Sequence, residues 1–364
     1  MRLADWSLHF YRLPYEREVR WSNAVEDSGT FALLRLVADN GATGIAEGTL
    51  KATWSGVSPR SVKAALEDIL MPLVGSIDLA DPDALTRALA PVPENRLAKA
   101  LIENASWTLR AAAAGKPLWH LWAGRQEVAL TWAVTRQAPG LMAAEAEEMC
   151  ARHGFATLKV KGGQGMATDV QALGAIRAAV GPAVELYVDA NSAYPRDEAG
   201  AYVRAIAEAG ATVAEDPCTL LPDESFAALQ RDAPLPVLID VNCVTGRDAA
   251  LFLERGARAL STKPGRVGLS ETRLIAQLAA AHGARVAVGI YAESALGTLI
   301  SLQQAAALAE GLQLVAAEQS FFLCMREQVV TDDVEIRAGR IRLPDEPDYA
   351  RLVDWEKVKH FAIG

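Results

Sequence analysis

From residue 129 to about 318 the chain alternates eight short apolar runs with amphipathic stretches of helical spacing. The runs lie near 129–135, 157–161, 184–189, 212–215, 236–240, 258–263, 285–290 and 313–318. Strands separated by helices cannot pair through hairpins, so each crosses over to a parallel neighbour. Eight such units predict a closed parallel barrel, with a doubly wound open sheet as the alternative. In a parallel barrel, functional groups gather at the C-terminal ends of the strands.

Those ends are charged. The last residues of the runs include Lys161, Asp189, Glu215, Asp240, Lys263 and Glu318, the first five spaced by 28, 26, 25 and 23 residues, about one strand-loop-helix-loop unit each. An acid after a buried strand commonly caps the following helix. Five consecutive ionisable ends, each set on the face opposite apolar neighbours such as Val188, Ala214 and Ile239, point to a shared inward face instead.

On the second barrel run, Lys159 and Lys161 share one face of the strand, roughly 7 Å apart, and two inward ammonium groups demand anions opposite them. Asp189, Glu215 and Asp240 converge from three adjacent strands and offer only hard oxygen ligands, which suits Mg²⁺ or Mn²⁺; no His or Cys stands by to favour zinc. Lys161 and Lys263 sit four positions apart on an eight-stranded ring and face each other across its mouth. Lysine is a poor base at an ordinary pKa of about 10.4, but a neighbouring cation such as Lys159 and a nearby metal disfavour its charged form. The pattern therefore predicts metal-assisted carbon-acid chemistry. The ion polarises a substrate carboxylate, one lysine removes the α-proton, and metal, lysine and acid hold the enediolate. Glu318 has two readings, a hydrogen-bond donor to that enediolate or a partner for a lysine.

The remainder divides into a cap and a tail. Residues 3–13, 30–38 and 44–49 read as an antiparallel sheet with a turn at Asn40-Gly41, followed by helices at 61–70, 82–89 and 95–114. The expected domains are an α+β capping domain at 1–125, a barrel at 126–324 and a C-terminal segment at 325–364 that returns to the cap. Two cap loops, at 20–23 and 51–56, carry Trp21 and Trp54 as their bulkiest residues. Gly162-Gly163-Gln164-Gly165 reads as a flexible exit and Pro264-Gly265 as a turn; neither has the spacing of a nucleotide loop.

Composition excludes other classes. With 51% hydrophobic and 22% charged residues the chain is not disordered, and a net charge of −9 without a basic cluster argues against nucleic acid and anionic membrane surfaces. Cys150, Cys218, Cys243 and Cys324 are scattered without a C-x-x-C pair, the usage of a reducing cytoplasm, and no signal peptide or membrane-spanning stretch is evident.

Taken together, these residues resemble the enolase superfamily, and within it the muconate-lactonising subgroup. Lys159-Val160-Lys161 resembles its K-x-K, Val188-Asp189-Ala190-Asn191 and Ala214-Glu215-Asp216-Pro217 its first two metal strands, and Leu238-Ile239-Asp240 its third. Lys263 stands at the second acid/base lysine, and Ala317-Glu318 at the end of the last strand. The resemblance implies a modified (β/α)7β barrel with an α+β cap and proton transfer by Lys161 and Lys263. It also implies that Lys159 tunes Lys161 or touches the substrate carboxylate, that Mg²⁺ is the metal, and that the enzyme is a cytoplasmic homo-oligomer. Cap loops that close over a small carboxylate would bring Trp21 and Trp54 to it, with Asn191 and Glu293 lining the pocket.

Some family features are absent. Val241-Asn242 follows Asp240 where relatives commonly carry an acid, Ala317-Glu318-Gln319-Ser320 lacks the aspartate pair of dipeptide epimerases, and none of the five histidines stands where mandelate racemases have their base. The leading expectation is cycloisomerisation, racemisation or epimerisation. The alternatives are β-elimination of water from a hydroxy acid or hydroxyproline-like substrate and, remotely, an inactive barrel with a binding role. The last is disfavoured because folding requires none of these buried charges.

Overall fold

The computed structural model describes residues 1–21 and 24–364; Ser22 and Asn23, of the first cap loop, lie outside the described residues. The cap is built on an antiparallel sheet of β1 (Leu3–Arg20), β2 (Val25–Ala38) and β3 (Thr43–Thr49), in that order. Its central strand is buried on both faces. Phe31 and Leu33 join the apolar core shared with the barrel, while Ala32, Leu34 and Leu36 join a second core with Leu97, Leu101, Ala105 and Leu109 of the long cap helix Arg96–Ala114. The two-residue period of a strand thus makes the sheet a layer between two cores. Gly44 lets that helix approach, since a Cβ there would lie 2.1 Å from the Ala105 carbonyl oxygen.

Between sheet and barrel the helical segment begins at Pro59, capped by Ser58 and Ser61, and continues through a π-helical stretch, Ala65–Leu70, into Met71–Val74. Helix Pro82–Leu89 follows, and the long cap helix ends at Gly115, whose φ of 61° is the left-handed conformation that glycine takes without strain.

The first predicted barrel run splits in two. β4 (Glu127–Ala129) leaves the barrel to pair with a tail strand, and only β5 (Trp132–Val134) enters the parallel sheet. β6 (Thr157–Lys161), β7 (Glu185–Asp189), β8 (Ala214–Glu215), β9 (Val237–Ile239), β10 (Ala259–Thr262) and β11 (Arg285–Val288) follow around the ring in chain order. The eighth run forms no regular ladder, yet it closes the circle. Leu314 N–H donates to Val286 O (2.7 Å) and Glu318 N–H to Val288 O (3.0 Å) on one side, and Thr131 N–H donates to Ala317 O (2.7 Å) on the other. This is the expected (β/α)7β barrel. Tyr187, Val213, Leu238, Ala259, Ala287, Leu314 and Val315 fill its interior as a separate apolar plug.

In the tail, β12 (Ile336–Arg337) pairs with β13 (Arg340–Arg342) and β13 with β4, and the last residues reach β1, where Arg12 N–H donates to Phe361 O and Ile363 N–H to Phe10 O. Among the described residues no helix is long and apolar enough to cross a membrane.

Candidate active site

Strand register sets the charged layer. Lys161 lies opposite Asp189 and Asp189 opposite Glu215 on three neighbouring strands, while Asp240 and Lys263 are the first residues beyond β9 and β10. A cleft of about 570 Å³ opens above this layer, between barrel and cap. Lys161, Lys263, Asp240 and Asn191 line it from the barrel, and Trp21 and Trp54 from the cap. Glu293 does not line it. Its carboxylate is buried at the start of the helix Ala295–Ala307, accepting from Tyr291 N–H and Ser301 Oγ, because a tight turn at Ala292 (φ 58°) directs it inward.

The two lysines of β6 have different surroundings. Lys159 is fully buried, and its Nζ lies 3.2 Å from Asp189, 2.7 Å from Glu215 and 2.9 Å from Glu318. Burial alone would lower its pKa, but these three carboxylates outweigh burial and hold it well above the ordinary lysine value. Its charge is therefore taken up by acids at the floor of the site. Lys161 is part-exposed to the cleft, with Nζ 2.6 Å from Asp189 Oδ2. Lys263 pairs with Asp240, which also lies 3.3 Å from the Arg266 guanidinium.

The carboxylates respond accordingly. Burial would raise Asp189, but Lys159 and Lys161 hold it below the usual carboxylate range, and Lys263 and Arg266 do the same for Asp240. Glu215 goes the other way, because burial and the neighbouring Asp189 outweigh its contact with Lys159. Glu318 accepts from Lys159, from Tyr187 Oη at 2.8 Å and from Ile290 N–H at 3.0 Å, so it is the partner of a lysine.

Whether these acids suit a divalent cation is a question of donor chemistry. Among the described residues no three acid, His or Cys side chains are gathered at ligating distance around one point. Asp189, Glu215 and Asp240 instead each contact a cation. Two of their oxygens, Glu215 Oε2 and Asp240 Oδ1, accept no aligned hydrogen bond and are met only by the charges of Lys159 at 2.7 Å and Arg266 at 3.3 Å. Hard carboxylate oxygens that already face cationic charge fit Mg²⁺ or Mn²⁺.

Several supporting contacts carried no signal in the sequence, some of them made by residues it had singled out. Asn191, at φ 49°, donates its backbone N–H (2.8 Å) and side-chain amide (3.0 Å) to Asp189, so it orients that carboxylate as well as lining the cleft. Arg136 ties Gly162 O, Ala190 O and Asn191 Oδ1 together. Asp216 accepts Asp240 N–H (3.2 Å) and Val241 N–H (2.8 Å); burial and then Asp240 push its pKa up to about 7. Pro264-Gly265, expected as a turn, starts the single helical turn Pro264–Val267, which returns Arg266 to Asp240. Nor is the glycine-rich exit after Lys161 loose. Asp169 accepts Gly163 N–H (2.7 Å), Gln164 N–H (3.1 Å), Tyr194 Oη (2.6 Å) and Tyr202 Oη (2.9 Å), tying the exit of β6 to that of β7.

Residues 141–350 match the family described as enolase C-terminal domain-like, and residues 14–122 the mandelate racemase / muconate lactonizing enzyme N-terminal domain. An N-succinylamino acid racemase of Thermus thermophilus is 29% identical over 350 residues, covering 95% of this chain and 93% of that protein. An L-Ala-D/L-Glu epimerase of Bacillus subtilis is 31% identical over 275 residues, covering 73% and 74%. The fold matches a muconate lactonizing enzyme of Mycobacterium smegmatis crystallised with muconolactone, at TM-score 0.94 and 24% identity over all of both chains. With both of its parts matched, the chain belongs to the mandelate racemase/muconate lactonizing enzyme family of the enolase superfamily.

Proposed function

We propose that this protein is an isomerase that takes the α-proton of a small carboxylate with one of Lys161 and Lys263; in racemisation or epimerisation the other returns a proton to the opposite face, and in cycloisomerisation a β C–O bond breaks or forms instead of that return. The observation that carries this reading is that both lysines line one cleft, from β6 and β10, four strands apart in an eight-membered ring. One lysine in its neutral form accepts the proton; the other, as ammonium, donates. Planar intermediates approached from opposite faces invert configuration, which a single base on one face cannot do.

Enzymes of this family generally depend on a divalent metal. A Mg²⁺ or Mn²⁺ ion held by Asp189, Glu215 and Asp240 would supply positive charge for the substrate carboxylate. The residues have their own tasks. Asp189 and Asp240 hold Lys161 and Lys263 in ion pairs that position the two amines at the cleft. Lys159 keeps Glu215, Asp189 and Glu318 compatible with one another, and Asn191 fixes the orientation of Asp189. Dipeptide epimerisation is less well supported than racemisation of a simpler acid. The last strand carries no aspartate pair, and Gln319 turns inward to donate to Gly289 O.

The test is incubation of candidate carboxylic acids with enzyme and Mg²⁺ in deuterated water. Deuterium at Cα with interconversion of isomers supports the proposal. Release of water from the substrate identifies a lyase, and no exchange with any acid counts against carbon-acid chemistry.

A further inference from the structure

Behind the cap side of the cleft a buried cation is packed among aromatic rings. Lys51 is 2% exposed; its Nζ lies 4.3 Å from the Trp21 ring centroid, 5.1 Å from that of Trp54 and 5.8 Å from that of Tyr15. It pairs with Glu26, and the same Glu26 oxygen accepts the Trp21 indole N–H at 2.8 Å. The Lys51 backbone carbonyl also accepts the N–H groups of Trp54 (3.0 Å) and Ser55 (2.9 Å), starting the short turn that carries Trp54. One residue thus holds both tryptophans, which belong to different loops. Folding does not call for it, since an apolar side chain would fill the same space without desolvating a charge.

The front of this assembly is a wall of the cleft. Trp21 and Trp54 meet edge to face at 4.9 Å, Trp21 packs on Phe321 at 5.1 Å and Trp54 on Tyr291 at 5.5 Å, and all four rings line the cavity. Two rings come from the cap and two from the barrel, so the wall spans the seam between them. Lys161, Lys263 and Arg266 line the same cleft from the barrel, beside Asp189 and Asp240.

We propose that the Lys51–Glu26 ion pair is the pin that fixes Trp21 and Trp54 as a rigid wall, and that this wall, with Phe321 and Tyr291, takes a flat uncharged apolar group at the end of the substrate remote from its carboxylate. Lys51 is a positioning residue, acting through the two indoles. Preorganised rings recognise a flat apolar group because offset and edge contacts are satisfied without loss of side-chain entropy on binding. A cationic group is disfavoured by Lys161, Lys263 and Arg266 in the same cleft. This inference rests on the proposed reaction only for which side of the cleft holds the carboxylate.

The experiment titrates 3-phenylpropionate, succinate and glycine betaine into the full-length protein with Mg²⁺, and into Lys51→Met, Lys51→Arg and Glu26→Gln, reading affinity by calorimetry and tryptophan quenching and folding by circular dichroism. The wild type and Lys51→Arg bind 3-phenylpropionate at least ~10-fold more tightly than either other probe, the scale of discrimination an apolar pocket gives. Lys51→Met and Glu26→Gln reduce that advantage to about twofold or less, as loss of preorganisation requires. Equal affinities, no binding, or a preference for succinate or betaine in the wild type overturns the proposal. So does an advantage that survives in Glu26→Gln, which also decides the matter if Lys51→Met fails to fold. Deuterium exchange is read separately. Its absence with the ring preference intact sinks the reaction and leaves the wall, and the converse result does the reverse.

Discussion

Lys159 and Lys161 stand two residues apart on one face of one strand, yet the first is enclosed by Asp189, Glu215 and Glu318 while the second reaches the cleft. Depth along the strand separates an enclosed cation from one open to the cleft. Lys159→Met leaves three buried carboxylates without their ammonium and is expected to cost about 3–5 kcal/mol, the usual penalty for breaking a buried ion pair. Lys161→Met, at a part-exposed position, is expected to lower the melting temperature much less while abolishing turnover. Thermal unfolding of the two variants side by side checks this, and equal losses would count against the distinction.

Glu103 on the long cap helix gives a pH prediction away from the catalytic floor. Burial, followed by the nearby Glu271, raises its pKa from 4.5 to about 7. Between these values the folded protein keeps a proton that the unfolded chain has released, so this contribution is fully present below pH 4.5 and is lost as pH rises to 7. Glu103→Gln is therefore expected to stabilise the protein at pH 8 by on the order of 2–3 kcal/mol and to confer little at pH 4.5. Denaturant unfolding at the two pH values measures the difference, and a gain that is equal at both would contradict the assignment.

Asp169 joins the loop after Lys161 to the loop after Asp189. Asp169→Ala strands two backbone N–H groups and two tyrosine hydroxyls. Orphaned buried donors cost about 1–3 kcal/mol each before relaxation, so a net loss near 3 kcal/mol is expected, together with a drop in kcat larger than any change in KM. Asp169→Asn, which retains an acceptor oxygen, should recover part of both.

Metal binding should be visible without substrate. Added Mg²⁺ is expected to raise the melting temperature by mass action on the folded state, and Asp189→Asn should remove that rise. A rise that persists in Asp189→Asn would place the ion elsewhere.

Much of this was legible in the chain because strand ends repeat at the period of the fold. Lys161, Asp189, Glu215, Asp240 and Lys263 could be placed on one layer from spacing alone, and the register of β6, β7 and β8 aligns the first three. What spacing cannot carry is the direction of residues in irregular backbone. Glu293 was expected at the pocket but follows the left-handed Ala292 into the core, and Arg266 returns to Asp240 through a helical turn too short to show a period. Arg136 and Asp169 act on loops two strands wide, and no local pattern announces such contacts. The run at 129–135 reads as one strand because only two residues separate β4 from β5, which pair in different sheets.

The most direct test of two opposed lysines uses both enantiomers of a turned-over acid in deuterated water with Mg²⁺ and the variants Lys161→Ala and Lys263→Ala. Each variant is predicted to lose interconversion while retaining α-exchange of one enantiomer only, a different enantiomer in each case. If both variants retain interconversion, or both lose exchange of the same enantiomer alone, the two lysines do not work from opposite faces of the substrate.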